Sequence, residues 1–197
     1  MFATLPGLAF FAFASSITPG PNNVMLLASG ANFGLKRTLP HMLGITIGHA
    51  LQVFLVGLGL LNLFDQVAWL RTALLLVCSV YLLFLAYKVA TAAAPEDAPA
   101  DARPLSFLQA AAFQWVNPKA IYMSIYAQTH FAPDGTLWLS AGLVALVFAF
   151  CNLPSVAVWA WGGVQVRRLL ATPQRLRRFN IAMALLLIAS LYPILIG

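Results

Sequence analysis

Thr18-Pro19-Gly20-Pro21-Asn22-Asn23 interrupts an apolar run whose pattern is otherwise helical, and its reading decides the fold. A proline inside a helix removes a hydrogen bond and clashes with the preceding turn, at a cost of about 3 kcal/mol or more. In hydrocarbon the freed backbone groups have no water to bond, so protein, a cavity or a ligand must satisfy them. Asn117-Pro118-Lys119 repeats the interruption in the second half of the chain. Interrupted helices at corresponding places in two halves of a membrane chain are the best sequence-level pointer to a transporter's binding site.

Composition supports the membrane reading. The chain has 197 residues, of which 61% are hydrophobic and 8% charged, with a mean hydropathy of +0.87. A soluble domain carries about 25% charged residues. The apolar runs reach the ~20 residues that a spanning helix needs and lack the alternation of barrel strands. Six spans are predicted, over residues 5–33, 38–63, 67–92, 105–130, 137–161 and 179–196. The expected fold is all-α, a polytopic membrane protein built as one transporter domain over residues 1–197. Ala12-Phe13-Ala14 resembles a signal-peptide cleavage site, but no Lys or Arg precedes the apolar run and the pattern resumes at Val24. The segment therefore reads as one interrupted span. Cys78 and Cys151 fall in the third and fifth spans, without redox or zinc spacing, and read as apolar core.

The net charge of +6 is explained by its placement, without a nucleic-acid partner. With the N-terminus outside, the cytoplasmic loops and flanks carry Lys36, Arg37, Lys88, Arg103, Arg167, Arg168, Arg175, Arg177 and Arg178, and the opposite side only Arg71. This positive-inside asymmetry places both termini in the periplasm. Residues 93–104, with Glu96, Asp97, Asp101 and three prolines, read as a cytoplasmic linker between repeat 1 (residues 1–92) and repeat 2 (residues 105–197). An odd number of spans per repeat inserts the second copy upside down. The architecture is then two inverted three-helix repeats whose first and fourth helices are broken.

Depth selects the candidate residues. The first break lies about 20 Å into its span at 1.5 Å per residue, near the bilayer midplane. Gly20 permits close backbone approach, the prolines leave upstream carbonyls unpaired, and Asn22 and Asn23 begin a half-helix whose N–H groups can receive a carboxylate. Lys119 is the basic residue deepest in a span, and the five acids Asp65, Glu96, Asp97, Asp101 and Asp134 all fall in loops or at span ends. Its partner is either a ligand carboxylate or the carbonyls freed by Pro118. The candidate substrate-binding residues are Thr18, Pro19, Gly20, Pro21, Asn22, Asn23, Asn117, Pro118, Lys119 and Tyr122, the last on the Lys119 face together with Tyr126. Gln114, Asn152 and Ser155 are further polar groups near the breaks.

His49 lies midway along the second span, with Gln52 on the same broad face. Histidine titrates near neutral pH, so His49 is either a proton-coupling residue or a neutral histidine bonded within the bundle. Gly44 and Gly48 form a small-xxx-small pair for helix packing. His41 and His49 are about 12 Å apart along a helix, too far to share a metal ion. Trp159 and Trp161 read as interface anchors. The sequence holds no phosphate loop, nucleophile elbow or midplane pair of acids, so neither an enzyme nor a resident cofactor is expected.

Thr18-Pro19-Gly20-Pro21-Asn22 followed by Gly34, Gly44 and Gly48 resembles the LysE/RhtB family of bacterial amino-acid exporters. Asn117-Pro118-Lys119 and the Arg-rich loop before the last span also fit. Thr18 to Asn23, with Phe179-Asn180-Ile181 and Ala184-Leu185-Leu186-Leu187, looks most like the branch exporting cysteine and O-acetylserine. The resemblance implies amino-acid export by proton exchange across a bacterial inner membrane, with lipid as surroundings and homo-oligomers allowed. Many members have an acid after the Gly-xxx-Gly pair, where this chain has His49. Export of another small solute or a metal ion, or a non-transporting membrane scaffold, are the rival readings.

Overall fold

The computed structural model describes residues 4–60, 68–92, 102–170 and 172–192. Among them the chain forms seven α-helices and one 3-10 turn, with no strand. Helix α1 (Leu5–Ile17) has a proline in its first turn, where the missing N–H costs nothing. It stops because Pro19 disfavours helical geometry at the residue before it, and Thr18 is accordingly extended at φ −67°, ψ 150°. Gly20, itself before a proline, is also extended, and α2 (Pro21–Gly57) starts immediately after it.

Helix α2 is a hairpin. Gly34 has φ 77° and ψ 168°, a conformation that costs glycine little. Ser29 Oγ and Thr38 Oγ1 are 2.9 Å apart, whereas nine residues of straight helix would separate them by about 13 Å. Leu26 packs in one cluster with Met42 and Ile45. Residues 21–33 and 35–57 are therefore two arms folded against each other.

The remaining elements are α3 (Ala68–Ala90), α4 (Phe107–Phe113), a 3-10 turn (Gln114–Val116), α5 (Pro118–Phe131), α6 (Leu137–Leu169) and α7 (Pro173–Ala189). Ser106 and Gln109 close a capping box on α4. Helix α6 continues past the expected end at residue 161, carrying Arg167 and Arg168 in its last turn, where cations suit the helix dipole. Helix α7 begins earlier than the expected residue 179, because Thr172 caps the Arg175 N–H at 3.3 Å and Pro173 opens the first turn. Of the expected linker, residues 93–101 lie outside the described residues, as do Asp65, the Cys78 side chain and residues 193–196.

The most extensive helix contact is between α2 and α6, where backbone meets backbone. A Cβ on Gly30 would overlap the Ala160 carbonyl, and one on Gly163 would overlap the Leu27 carbonyl. Gly44 and Gly48 lie against α4, where a Cβ at Gly48 would sit 2.6 Å from Ala111 Cα. Small residues let helices approach closely where lipid supplies no hydrophobic drive for association. The polarity is that of a protein dissolved in hydrocarbon. Phe10, Val80, Leu108, Leu139 and Phe150 are 67–78% exposed on the outside, while Asn32, His49, Gln52, Gln114 and Asn180 are buried inside. Helices α2 and α6 are both long and apolar enough to cross a membrane.

Candidate functional site

Side chains take the carbonyls of the five residues from Ser15 to Pro19 at the first break. Thr18 Oγ1 donates to the Ser15 carbonyl at 2.8 Å. Asn23 Nδ2 donates to the carbonyls of Ser16 and Thr18, each at 2.7 Å. Trp159 Nε1 donates to the Ile17 carbonyl at 2.9 Å. Lys119 Nζ donates to the Thr18 carbonyl at 2.7 Å, to Thr18 Oγ1 at 2.9 Å and to the Pro19 carbonyl at 3.3 Å. The Gly20 carbonyl is taken by the Val24 N–H at 2.9 Å, the first backbone bond of α2. A buried helix break demands such partners, because hydrocarbon offers no water to its carbonyls.

The second break is ordered by the same residue types. Asn117 is extended before Pro118, and its side chain accepts the Lys119 N–H at 3.2 Å, capping α5. Gln114, fully buried, exchanges hydrogen bonds with Asn22: Asn22 Nδ2 donates to Gln114 Oε1 at 2.8 Å and Gln114 Nε2 to Asn22 Oδ1 at 3.2 Å. Gln52 Nε2 donates to the Gln114 carbonyl at 2.6 Å. The two breaks are thus joined by an ammonium and by an amide pair.

Between them lies a cavity lined by Gly20, Asn22, Asn23, His49, Asn117 and Lys119, with Ser15, Ser16, Ala120, Met123, Asn152 and Val156 completing the wall. Its volume is ≈ 20 Å³, room for about one water. An amino acid therefore needs the walls to part. No side chain caps the N-terminus of α2, and Pro21 has no N–H. The N–H groups of Asn22 and Asn23 are then the open donors of that first turn, beside the Lys119 cation. Gly20 leaves room for the lysine: a Cβ there would lie 2.8 Å from Lys119 Cδ, and the side chain would have to shift.

The structure does not bring every candidate to the cavity. Thr18 and Pro19 hold Lys119 from outside the wall, and Pro21 and Pro118 start the two helices. Tyr122 is 61% exposed, and its ring is tilted against that of Tyr126 with centroids 5.9 Å apart. It faces outward, because its position three residues after Lys119 rotates it off the cavity side of α5. Lys119 bonds the carbonyls of the opposite break, not those freed by Pro118. Trp159 is no simple interface anchor either, since its indole reaches into the bundle. The signal for that role is its N–H, which needs an acceptor wherever the ring is covered.

A bundle apolar outside and polar inside, with two helix breaks meeting over a cavity, has the construction of a membrane translocator. The chain belongs to the LysE family: the LysE type translocator profile matches residues 13–190. It is 31% identical over 190 residues to the cysteine/O-acetylserine efflux proteins of Escherichia coli strain E24377A and of Escherichia coli strain K12, covering 90% of each chain. The corresponding Shigella flexneri protein matches at the same identity and coverage. No solved structure matches the chain.

Proposed function

We propose that this protein exports an amino acid or amino-acid derivative from the bacterial cytoplasm across the inner membrane, in exchange for protons. The efflux proteins it resembles are named for cysteine and O-acetylserine, and the cation and free N–H groups on the cavity wall suit the carboxylate of such a small zwitterion once the walls part. The substrate carboxylate is received by the Asn22 and Asn23 N–H groups and by Lys119, and His49 is the proton-coupling residue. Six spans in two inverted repeats agree with the helix order: a broken helix, then two continuous ones, in each half. Both termini are then periplasmic, from the distribution of Lys and Arg.

The observation that carries the reading is the Lys119 ammonium beside an uncapped helix N-terminus at the junction of the two breaks. Among the described residues the sole acid is Asp134, in the loop between α5 and α6. Among the described residues none offers this site a carboxylate, which suits one carried by the ligand. Efflux of labelled amino acids from cells expressing the wild type and Lys119→Ala tests it. Export by the wild type and loss in the variant is the expected result; no exported amino acid or derivative would overturn the reading.

A further inference from the structure

Asn152 stands one turn after Phe148 on α6, and both side chains meet the ring of His49. The Asn152 amide nitrogen is 3.1 Å from His49 Nδ1, and the Phe148 ring stands edge-on to the imidazole with centroids 5.2 Å apart. An amide nitrogen only donates, so Nδ1 accepts and a neutral His49 carries its proton on Nε2. His49 is 2% and Asn152 4% exposed, so solvent does not compete for this contact.

Among the described residues neither His49 Nε2 nor Ser16 Oγ has a hydrogen-bond partner of good geometry, although the Ala120 backbone lies close enough to the His49 ring to act on it. Both residues line the cavity. Buried polar atoms are almost always paired, and two unpaired ones on one cavity wall mark a place where a ligand completes the bonding. We propose that Asn152 is a positioning residue that holds His49 in its Nε2-protonated form, so that His49 Nε2–H and Ser16 Oγ bind an oxygen on the side chain of the transported molecule. This rests on the export reading and deepens it. The carboxylate sits at the Lys119 pole, and the second pole reads a hydroxyl or ester oxygen. Protonation of His49 at Nδ1 requires Asn152 to turn its carbonyl toward the ring, so proton uptake and side-chain reading are linked through one amide.

The test uses the full chain in proteoliposomes, with counterflow of labelled L-serine, O-acetyl-L-serine and L-alanine by the wild type, Ser16→Ala and Asn152→Leu. The preference for the two oxygen-bearing substrates over alanine should fall about five-fold in each variant, through KM and not kcat, as for the loss of one neutral hydrogen bond. Nitrogen-15 spectra of histidine-labelled protein, with His49 assigned by His49→Gln, should show the Nε2-protonated ring in the wild type and a tautomer mixture in Asn152→Leu. Ser16→Ala removes one oxygen without changing the backbone, so it decides the matter even where Asn152→Leu fails to fold. An unchanged preference in Ser16→Ala overturns the second pole. An unchanged tautomer in Asn152→Leu overturns the role of Asn152. Absence of all transport by the wild type overturns the export reading together with this one, whereas transport lost only in Lys119→Ala with preference intact in Ser16→Ala overturns this one alone.

Discussion

The Lys119 ammonium donates to the Thr18 carbonyl at 2.7 Å, so a cation from the second helix break closes the first. The same ammonium reaches Thr18 Oγ1 and the Pro19 carbonyl. It lies at the C-terminal end of α1, where the helix dipole is negative. One side chain therefore both stabilises the break and charges the cavity.

Replacing Lys119 with Ala removes three charge-assisted contacts, each worth about 1.5–3 kcal/mol. Efflux per molecule of membrane-inserted protein should fall at least ten-fold, an estimate that takes about 1.4 kcal/mol per decade. Quantifying the inserted protein by immunoblot separates this loss from failure to insert.

Gly30→Ala and Gly163→Ala each place a methyl group on a carbonyl of the facing helix. The crossing of α2 and α6 must open, at about 1–3 kcal/mol per substitution. The unfolding midpoint in mixed micelles should fall in both variants, and Gly135→Ala, with nothing within 4 Å of its Cβ position, separates packing from backbone strain at its positive φ.

Asn32 and Asn180 exchange amide hydrogen bonds at 2.8 and 3.1 Å between α2 and α7, both buried. A double-mutant cycle through Asn32→Ala and Asn180→Ala should give a coupling of about 0.6 kcal/mol, with ~1.7 kcal/mol as a ceiling for such pairs in a bilayer. Additive destabilisation would show that the pair contributes nothing jointly.

His49→Ala should remove the pH dependence of export in proteoliposomes while substrate binding stays measurable. A pH profile that follows the wild type would reject the proton-coupling role.

A reporter fused after Gly197 should read periplasmic, and one fused within residues 93–101 cytoplasmic. The opposite result at Gly197 would invert the topology drawn from the Lys and Arg distribution.

Much of this was legible because proline and glycine act locally. Thr18 to Pro21 and Asn117 to Pro118 announce breaks through their own backbone chemistry, and α3, like α4 and α5 taken together, falls within a few residues of its predicted span. What the sequence hid is what depends on which helices become neighbours. The partner of Lys119 lies on a break a hundred positions away, and Trp159 reaches Ile17 across 142. Spacing along α5 put Tyr122 with Lys119, but three residues are enough rotation to turn its ring outward. Asn152 was visible as a polar residue in a span; its contact with His49 was not, because no pattern within either helix encodes the pairing of α2 with α6.

The contact between Lys119 and the first break has a consequence for the return stroke. A carrier whose binding cation is bare when unloaded must drag an uncompensated charge through the low-dielectric centre of the bilayer, or else wait for a counter-ligand. Here the Thr18 and Pro19 carbonyls solvate the Lys119 ammonium from within the protein. Under the proposed export reading, a cation held in this way does not depend on cargo for its solvation during the return stroke.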